Sequence, residues 1–205
     1  MNEVFESSVF FGVLISLGAY AIGMWLKRIT GWALMNPLLV SIILVVCTLL
    51  LLDIDYSSYK RGADMISYML TPATICLAVP LHQQVELLRK NYRAVLVGIT
   101  SGVLASLVSI LILALALHLN HVEYVTFLPK SITTAIGIGV SEELGGNVAL
   151  SVVSIIVTGV LGNIFAEAFL RMLKIDEPIA KGIAIGAASH AVGTSKAMEM
   201  GAVEG

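Results

Sequence analysis

The sequence predicts an all-α polytopic membrane protein of about six to seven hydrophobic segments, and three observations carry that expectation. Of 205 residues, 58% are hydrophobic and only 13% charged, where soluble domains run near a quarter charged, and the mean hydropathy is +0.93. The charges gather in short connectors between apolar runs long enough to cross about 30 Å of hydrocarbon as helices. Three of those runs, around Pro72, Thr133 and His190, are interrupted by prolines, glycines and hydroxyls, which lipid tolerates only where they line a protein cavity.

A single transmembrane domain is expected over 1–205. Its first span, 7–26, is uncharged and ends at Trp25, Lys27 and Arg28, an interfacial aromatic with a basic pair. Glu3 and Glu6 precede it without any Lys or Arg, so it reads as a retained span rather than a cleavable signal. The second span, 34–52, has Asn36-Pro37 near its start, a cap residue followed by a first-turn proline. Asp53 to Arg61 reads as a polar loop carrying Tyr56 and Tyr59. Segment 65–84 holds Thr71-Pro72-Ala73-Thr74 in its middle and Pro80 towards its end. A broken helix is expected there, because proline frees a backbone carbonyl that neighbouring threonines can cover.

Glu86, Arg89, Lys90 and Arg93 form a charged connector to the span 94–117, whose Gly98, Ser101, Gly102, Ala105, Ser106 and Ser109 make a small-residue face. Such a face lets another helix approach closely. His118 to Phe127 reads as a short loop without Lys or Arg. The stretch 128–143, with Lys130, Ser131, Thr133 and Thr134, is too short and polar for an ordinary span and reads as a half-helix or re-entrant segment. Span 147–170 carries Glu167 near its far end, and 182–200 starts as an apolar helix before Gly186 to Lys196 interrupts it. The interrupted segments are expected to meet near the midplane, a transporter-like plan in which half-helix N-termini face an anion.

The distribution of Lys and Arg places Lys27-Arg28 and the Arg89 to Arg93 connector in the cytoplasm and the N-terminus outside. Arg171, Lys174 and Lys181 then fall inside only if 128–143 enters and returns on one side, and re-entry is therefore the expected geometry.

Each polar residue also has a plainer role open to it. Lys130 can snorkel to the interface, Thr71 and Thr74 can satisfy a proline kink, and Asn36 can cap a helix. His190 can be held by a hydrogen bond to a neighbouring helix, Glu142 and Glu143 can be solvated loop, and Glu167 can sit at the interface. Cys47 and Cys76 sit in apolar segments as packing residues. No nucleophile and base pattern, zinc-binding pattern or phosphate-cradling loop occurs. An enzyme is therefore not expected, nor a metal, a cofactor or a nucleic-acid partner.

Several stretches in order resemble the LrgB family over nearly the whole chain. They are Asn36 to Val40; Tyr56 to Tyr59 with Gly62; Leu70 to Thr74 with Ala78 to Leu81; Leu128 to Thr134; Gly145-Gly146; and Gly186 to Thr194. The resemblance implies a multi-pass protein of the bacterial cytoplasmic (inner) membrane, antiholin-like or holin-like. It implies a small holin-like partner of the LrgA or CidA type, and modulation of murein hydrolase activity, autolysis and programmed cell death. Related proteins include bacterial LrgB and CidB proteins, some linked to pyruvate uptake, and the membrane half of the plastid translocator of glycolate and glycerate. This chain departs from the family in having Ala135 where proline is frequent. The family also continues past the Glu204-Gly205 pair into one more hydrophobic span, which is expected to be missing here.

Two functions are expected from these readings. In the first, the chain is a secondary transporter or exporter of small carboxylates of the pyruvate, glycolate and glycerate class. Lys130, Ser131, Thr133 and Thr134 would bind the carboxylate, Thr71, Thr74 and Asn36 would complete the cavity, and His190, Thr194 and Ser195 would form the opposing half-site. His190 and Glu142 are the candidates for proton coupling. In the second, the chain is an antiholin-like regulator that binds its holin-like partner without carrying solute. The small-residue faces suit homo-oligomerisation.

Overall fold

The computed structural model describes residues 10–32, 35–76 and 78–205, without the side chains of Leu70 and Thr74. Among the described residues it is all-α, 84% helical, with no strand. Four helical stretches are long and apolar enough to cross a membrane: Phe10–Thr30, Tyr56–Gln83, Val85–Ala116 and Val148–Met172; Pro37–Leu51 is a shorter apolar helix. The chain divides into two compact units, 1–82 and 83–205.

The first unit contains α1 (Phe10–Thr30), α2 (Pro37–Leu51), α3 (Tyr56–Ser67), α4 (Leu70–Cys76) and, at its edge, α5 (Ala78–Gln83). The buried Asn36 caps α2, its side-chain oxygen accepting from the backbone N–H groups of Leu38 at 2.8 Å and Leu39 at 3.4 Å, which fits the proline that follows it. On α1, Gly23 lies so close to α2 that a Cβ there would sit 2.7 Å from the Pro37 carbonyl oxygen, and a Cβ on Gly12 would run into the Tyr59 carbonyl of α3. Ser16 Oγ donates to the Gly12 carbonyl at 2.7 Å, so the Tyr59 hydroxyl 2.9 Å away is the donor to Ser16.

The expected loop from Asp53 to Arg61 is corrected by these contacts, because helix α3 begins at Tyr56 with Asp55 at its N-cap position. Ser58 and Gly62, four residues apart, are buried on one face of α3, and that burial organises a polar sequence as helix. The break near Pro72 comes earlier than expected, at the Tyr68-Met69 turn. Pro72 then falls in the first turn of α4, where its missing N–H leaves no helical bond unmade.

The second unit contains α6 (Val85–Ala116), α7 (His121–Phe127), a 3-10 turn (Leu128–Ser131), α8 (Thr134–Glu143), α9 (Val148–Met172) and α10 (Pro178–Met200). The connector Glu86 to Arg93 forms the first turns of α6, a correction that follows from strong helix formers with opposite charges three and four residues apart. The stretch 118–127 is likewise not a simple loop. Asn120 and Glu123 form a capping box at the start of α7, with Glu123 N to Asn120 Oδ1 at 2.9 Å and Asn120 N to Glu123 Oε2 at 2.8 Å.

Two segments of this unit double back on themselves. The 3-10 turn leads into extended backbone at Ile132 (φ −108°, ψ 170°) and Thr133 (φ −65°, ψ 144°), after which α8 runs back. A Cβ on Gly137 would consequently lie 3.5 Å from Pro129 Cβ, and one on Gly146 would lie 3.2 Å from the Thr126 backbone. We refer to 121–143 as the first hairpin. Gly145, at φ +73°, then turns the chain into α9.

Within α10, Ser189 (φ −131°, ψ 22°) and His190 (φ 46°, ψ −139°) are non-helical, and the two arms lie side by side. A Cβ on Gly193 would meet the Ile185 carbonyl, eight residues away in sequence, and one on Gly182 would meet Glu204. The arms 178–188 and 191–200 thus form the second hairpin. Helical arms of about ten residues reach roughly 15 Å, half the thickness of a bilayer core.

Candidate functional site

Helix α9 is the axis on which both hairpins converge. The open end of the first hairpin is fixed at the start of α9 by hydroxyls: Ser151 Oγ donates to the Thr126 carbonyl at 2.7 Å, and the Asn147 N–H donates to Thr126 Oγ1 at 2.8 Å. Since the single proton of Ser151 is committed, Ser141 Oγ, 2.8 Å away, donates to Ser151. Thr126, Ser141 and Ser151 are at most 1% exposed. Ser151→Ala removes the partner of two buried polar groups at once, a loss of about 1–3 kcal/mol. The variant's melting temperature in detergent is expected to fall by roughly 2–12 °C, and an unchanged melt would show that the network is dispensable.

The second hairpin has its open end at the far end of α9, where Ile185 packs with Ala166 and Leu170, and Ile175 and Met200 pack against that cluster. The tips meet between these ends. From the first hairpin, Gly137 packs on Ile155, whose Cγ1 would lie 3.6 Å from a Cβ at that position. From the second, a Cβ on Gly159 would lie 2.8 Å from His190 Nε2, and one on Gly162 would lie 2.7 Å from Ser189 Cβ. His190 Nε2 donates to the Ile155 carbonyl at 3.2 Å. That contact holds the ring of a residue whose positive φ is strained for a side chain other than glycine.

Helix α6 lines the same meeting point with its small-residue face. A Cβ on Gly98 would lie 3.0 Å from Ile183 Cγ2 and one on Gly102 would lie 3.4 Å from Ala187 Cβ, while Lys130 Nζ donates to Ser106 Oγ at 3.4 Å. Between α6, α9 and the tips lies an open cavity of about 1510 Å³, whose polar lining includes Lys130, Ser131, Ser106, Ser109, Thr158 and Ser189. Lys130 Nζ also donates to Ser131 Oγ at 3.1 Å. An ammonium has three donors and each hydroxyl can turn its own proton outward, so this group presents one positive charge with rotatable donors. At Thr133 no side-chain cap covers the start of α8, leaving backbone N–H groups and the positive end of the helix dipole at the same tip.

The sequence-predicted residues separate on this geometry. Lys130 and Ser131 line the cavity, and Thr133 and Thr134, half-buried, head α8 beside them. Ser189, 2% exposed and packed on Gly162 of α9, contributes to the wall at the second tip, while the His190 imidazole is tied to the Ile155 carbonyl. Thr194 Oγ1 donates to the His190 carbonyl at 3.1 Å, bracing the turn, and Ser195 is exposed. Glu142 is exposed at the end of α8 opposite the tip. Asn36 and Thr71 belong to the first unit, Asn36 as a cap and Thr71 exposed, while the Thr74 side chain lies outside the described residues. Nothing local in the sequence marks Ser189 as a ligand group, whereas a hydroxyl on a small-residue face is a signal for Ser106. Among the described residues, no group of three or more His, Cys, Asp or Glu is placed to hold a metal ion.

Comparison with known proteins adds a family. The pattern of the LrgB-like family matches residues 16–205. An "Antiholin-like protein LrgB" of Bacillus mycoides (strain KBAB4) is 38% identical over 196 residues, which cover 95% of this chain and 85% of that protein. Proteins of the same name from Bacillus cereus (strain B4264) and Bacillus anthracis (strain CDC 684 / NRRL 3495) are 37% identical over the same shares. No solved structure matches the chain.

Proposed function

Because the chain belongs to the LrgB-like family, a family of bacterial membrane proteins, we propose that it is a secondary transporter of small monocarboxylates whose activity bears on murein hydrolase control and autolysis. The observation that carries this reading is the meeting of two hairpin tips halfway along α9, where one ammonium and several hydroxyls face an open cavity. Discontinuous helices that converge at mid-membrane on polar groups are how transporters hold a solute away from lipid. Lys130, Ser131 and the start of α8 at Thr133 and Thr134 take the carboxylate, and Ser106 and Ser189 take the remaining oxygens. The chain works without enzymatic chemistry or a cofactor.

The charge distribution supports an orientation. The contacts of Gly98 with Ile183 and of Lys130 with Ser106 run α6 and α9 antiparallel, so that Arg89, Lys90 and Arg93 gather at the same end as Arg171, Lys174 and Lys181. We place that end in the cytoplasm, with both hairpins re-entrant and the chain's N-terminus outside. The deciding experiment is uptake of labelled pyruvate, glycolate or glycerate into proteoliposomes. Saturable flux supports the reading, and its absence with folded protein overturns it.

A second reading follows from the names of the relatives: the chain is an antiholin-like regulator that binds a holin-like membrane partner. The exposed apolar side chains of α6, among them Leu96, Val97, Leu104 and Ile112, then face that partner, lipid or a second copy. Co-purification with a partner of the LrgA or CidA type tests it. Intact lysis control by a transport-dead variant would favour it over transport.

A further inference from the structure

The cavity is polar at one end only. On α6 the residues that line it pass from Ser109, Ser106 and Ser101 to Gly98 and Ala94, and on α9 from Thr158 to Leu161, Phe165 and Phe169. Along the second hairpin, Gly102 packs on Ala187 and Gly98 on Ile183, while Gly162 packs on Ser189 and Ala166 on Ile185. Both helices therefore turn their apolar stretches towards the same end of the space. From Ser106 to Ala94 that limb extends about 18 Å along α6. Gly98 and Ala94 project nothing beyond a Cβ, so side chains of α9 form its bulky wall. Phe165 and Phe169 stand edge to face with centroids 6.4 Å apart and remain 44% and 56% exposed.

A three-carbon acid held at Lys130 leaves this limb unfilled. The cavity of about 1510 Å³ exceeds even the roughly 300–1,000 Å³ of pockets that enclose drug-sized ligands. Water gains little from such walls, since apolar cavities stay dry, whereas hydrocarbon gains with every methylene covered. Charge then selects the kind of hydrocarbon. Among the described residues the lining carries two charged groups, Lys130 at the polar end and Glu177 beyond Leu173 at the other. A guest with one anionic head and a neutral tail suits both. A second anionic group would lie against apolar walls and face Glu177.

We propose that the site takes amphipathic monocarboxylates, with the carboxylate at Lys130 and a medium-length alkyl or aryl tail along Leu161, Phe165 and Phe169. The head group rests on the carboxylate reading given above; the tail is additional to it. A pocket built for three-carbon acids alone would show no preference for longer chains, and this one should. Ala94, on the α6 side of the limb, then limits tail size, because a larger side chain there occupies the limb without reaching Lys130.

Protection of the purified full chain against thermal unfolding reads out binding without requiring flux. The probes are acetate, butyrate, hexanoate, octanoate and phenylpropionate as sodium salts at equal ionic strength, with the dicarboxylate suberate beside octanoate. The apparent Kd is expected to fall about fourfold for each methylene covered, and suberate to bind roughly tenfold or more weakly than octanoate. Ala94→Phe is expected to flatten the dependence on chain length, and Lys130→Gln to weaken every acid of the series. The proposal is overturned if the Kd is the same across the series or if suberate matches octanoate. It is equally overturned if Lys130→Gln binds octanoate as tightly as the parent, the mark of partition into detergent rather than into the site. Should Lys130→Gln fail to fold, an unaltered length dependence in Ala94→Phe overturns it alone. A flat series beside saturable uptake of labelled glycolate would remove the tail and keep the transporter reading. A length-dependent series beside absent uptake would keep the amphipathic ligand and remove transport of small acids.

Discussion

Lys130→Ala is expected to abolish saturable carboxylate uptake while leaving the protein folded. The ammonium is held 3.1 Å from Ser131 Oγ and 3.4 Å from Ser106 Oγ, two neutral hydroxyls that tolerate its loss because each can hydrogen-bond elsewhere. A bound carboxylate would keep neutral donors there but lose the one full positive charge opposite it. Truncating one partner of a desolvated, hydrogen-bonded charge pair costs about 2–5 kcal/mol, which at about 1.4 kcal/mol per decade weakens binding roughly thirty- to several-thousand-fold. Lys130→Arg keeps the charge and should retain measurable flux with an altered KM, since the planar guanidinium is a different shape in the same place. Proteoliposome uptake with both variants separates charge from volume. Equal loss in the two would show that packing at the tip, rather than charge, is what matters.

The second large effect is expected at a residue that contacts no solute. Gly162→Ala places a methyl group on the side chain of Ser189, with Ser189 Cβ only 2.7 Å from the new carbon. A Cβ on Gly159 would meet the His190 ring at similar range, so the tip has no room to slide along α9. Overpacking of this kind costs about 1–3 kcal/mol, a fall of roughly 2–12 °C in melting temperature for a chain of this size. Transport should fall with it, because the second tip can no longer seat. Combining Gly162→Ala with Ser189→Gly should restore most of the melting temperature, as contacting residues are non-additive. No recovery in the double variant would mean that the glycine serves something other than this contact.

Particular residues show what could be read in advance. The membrane class and the helical character follow from hydropathy, and the interruptions at Thr133 and His190 from polar residues where lipid would exclude them. Asn36 before Pro37 carries its own cap, and the Asn120 to Glu123 capping box that starts α7 was equally legible, although that stretch reads at first as a loop. The start of α3 at Tyr56 was not legible, because a sequence as polar as Tyr56 to Arg61 becomes helix only once Ser58 and Gly62 are buried. His190 illustrates a subtler limit. Its rarity in a membrane segment marked the right turn, but which of two adjacent side chains faces the cavity is set by a backbone reversal at Ser189 and His190.

Hydropathy and residue order are enough to make this chain a set of membrane helices, to show which of them are interrupted, and to set Lys130 as a positive charge with hydroxyls beside it. Those are local properties, fixed by composition and by neighbours a few residues apart. That the interruptions at Thr133 and His190 are reversals, that the two hairpins approach α9 from opposite ends, and that Ser106 and Ser189 join Lys130 around one cavity emerge only in the folded chain. A reversal depends on what the doubled-back chain packs against, here Ile155 for the first hairpin and Gly159 and Gly162 for the second. Close approaches between segments distant in sequence have no local signature, so only the folded chain displays them.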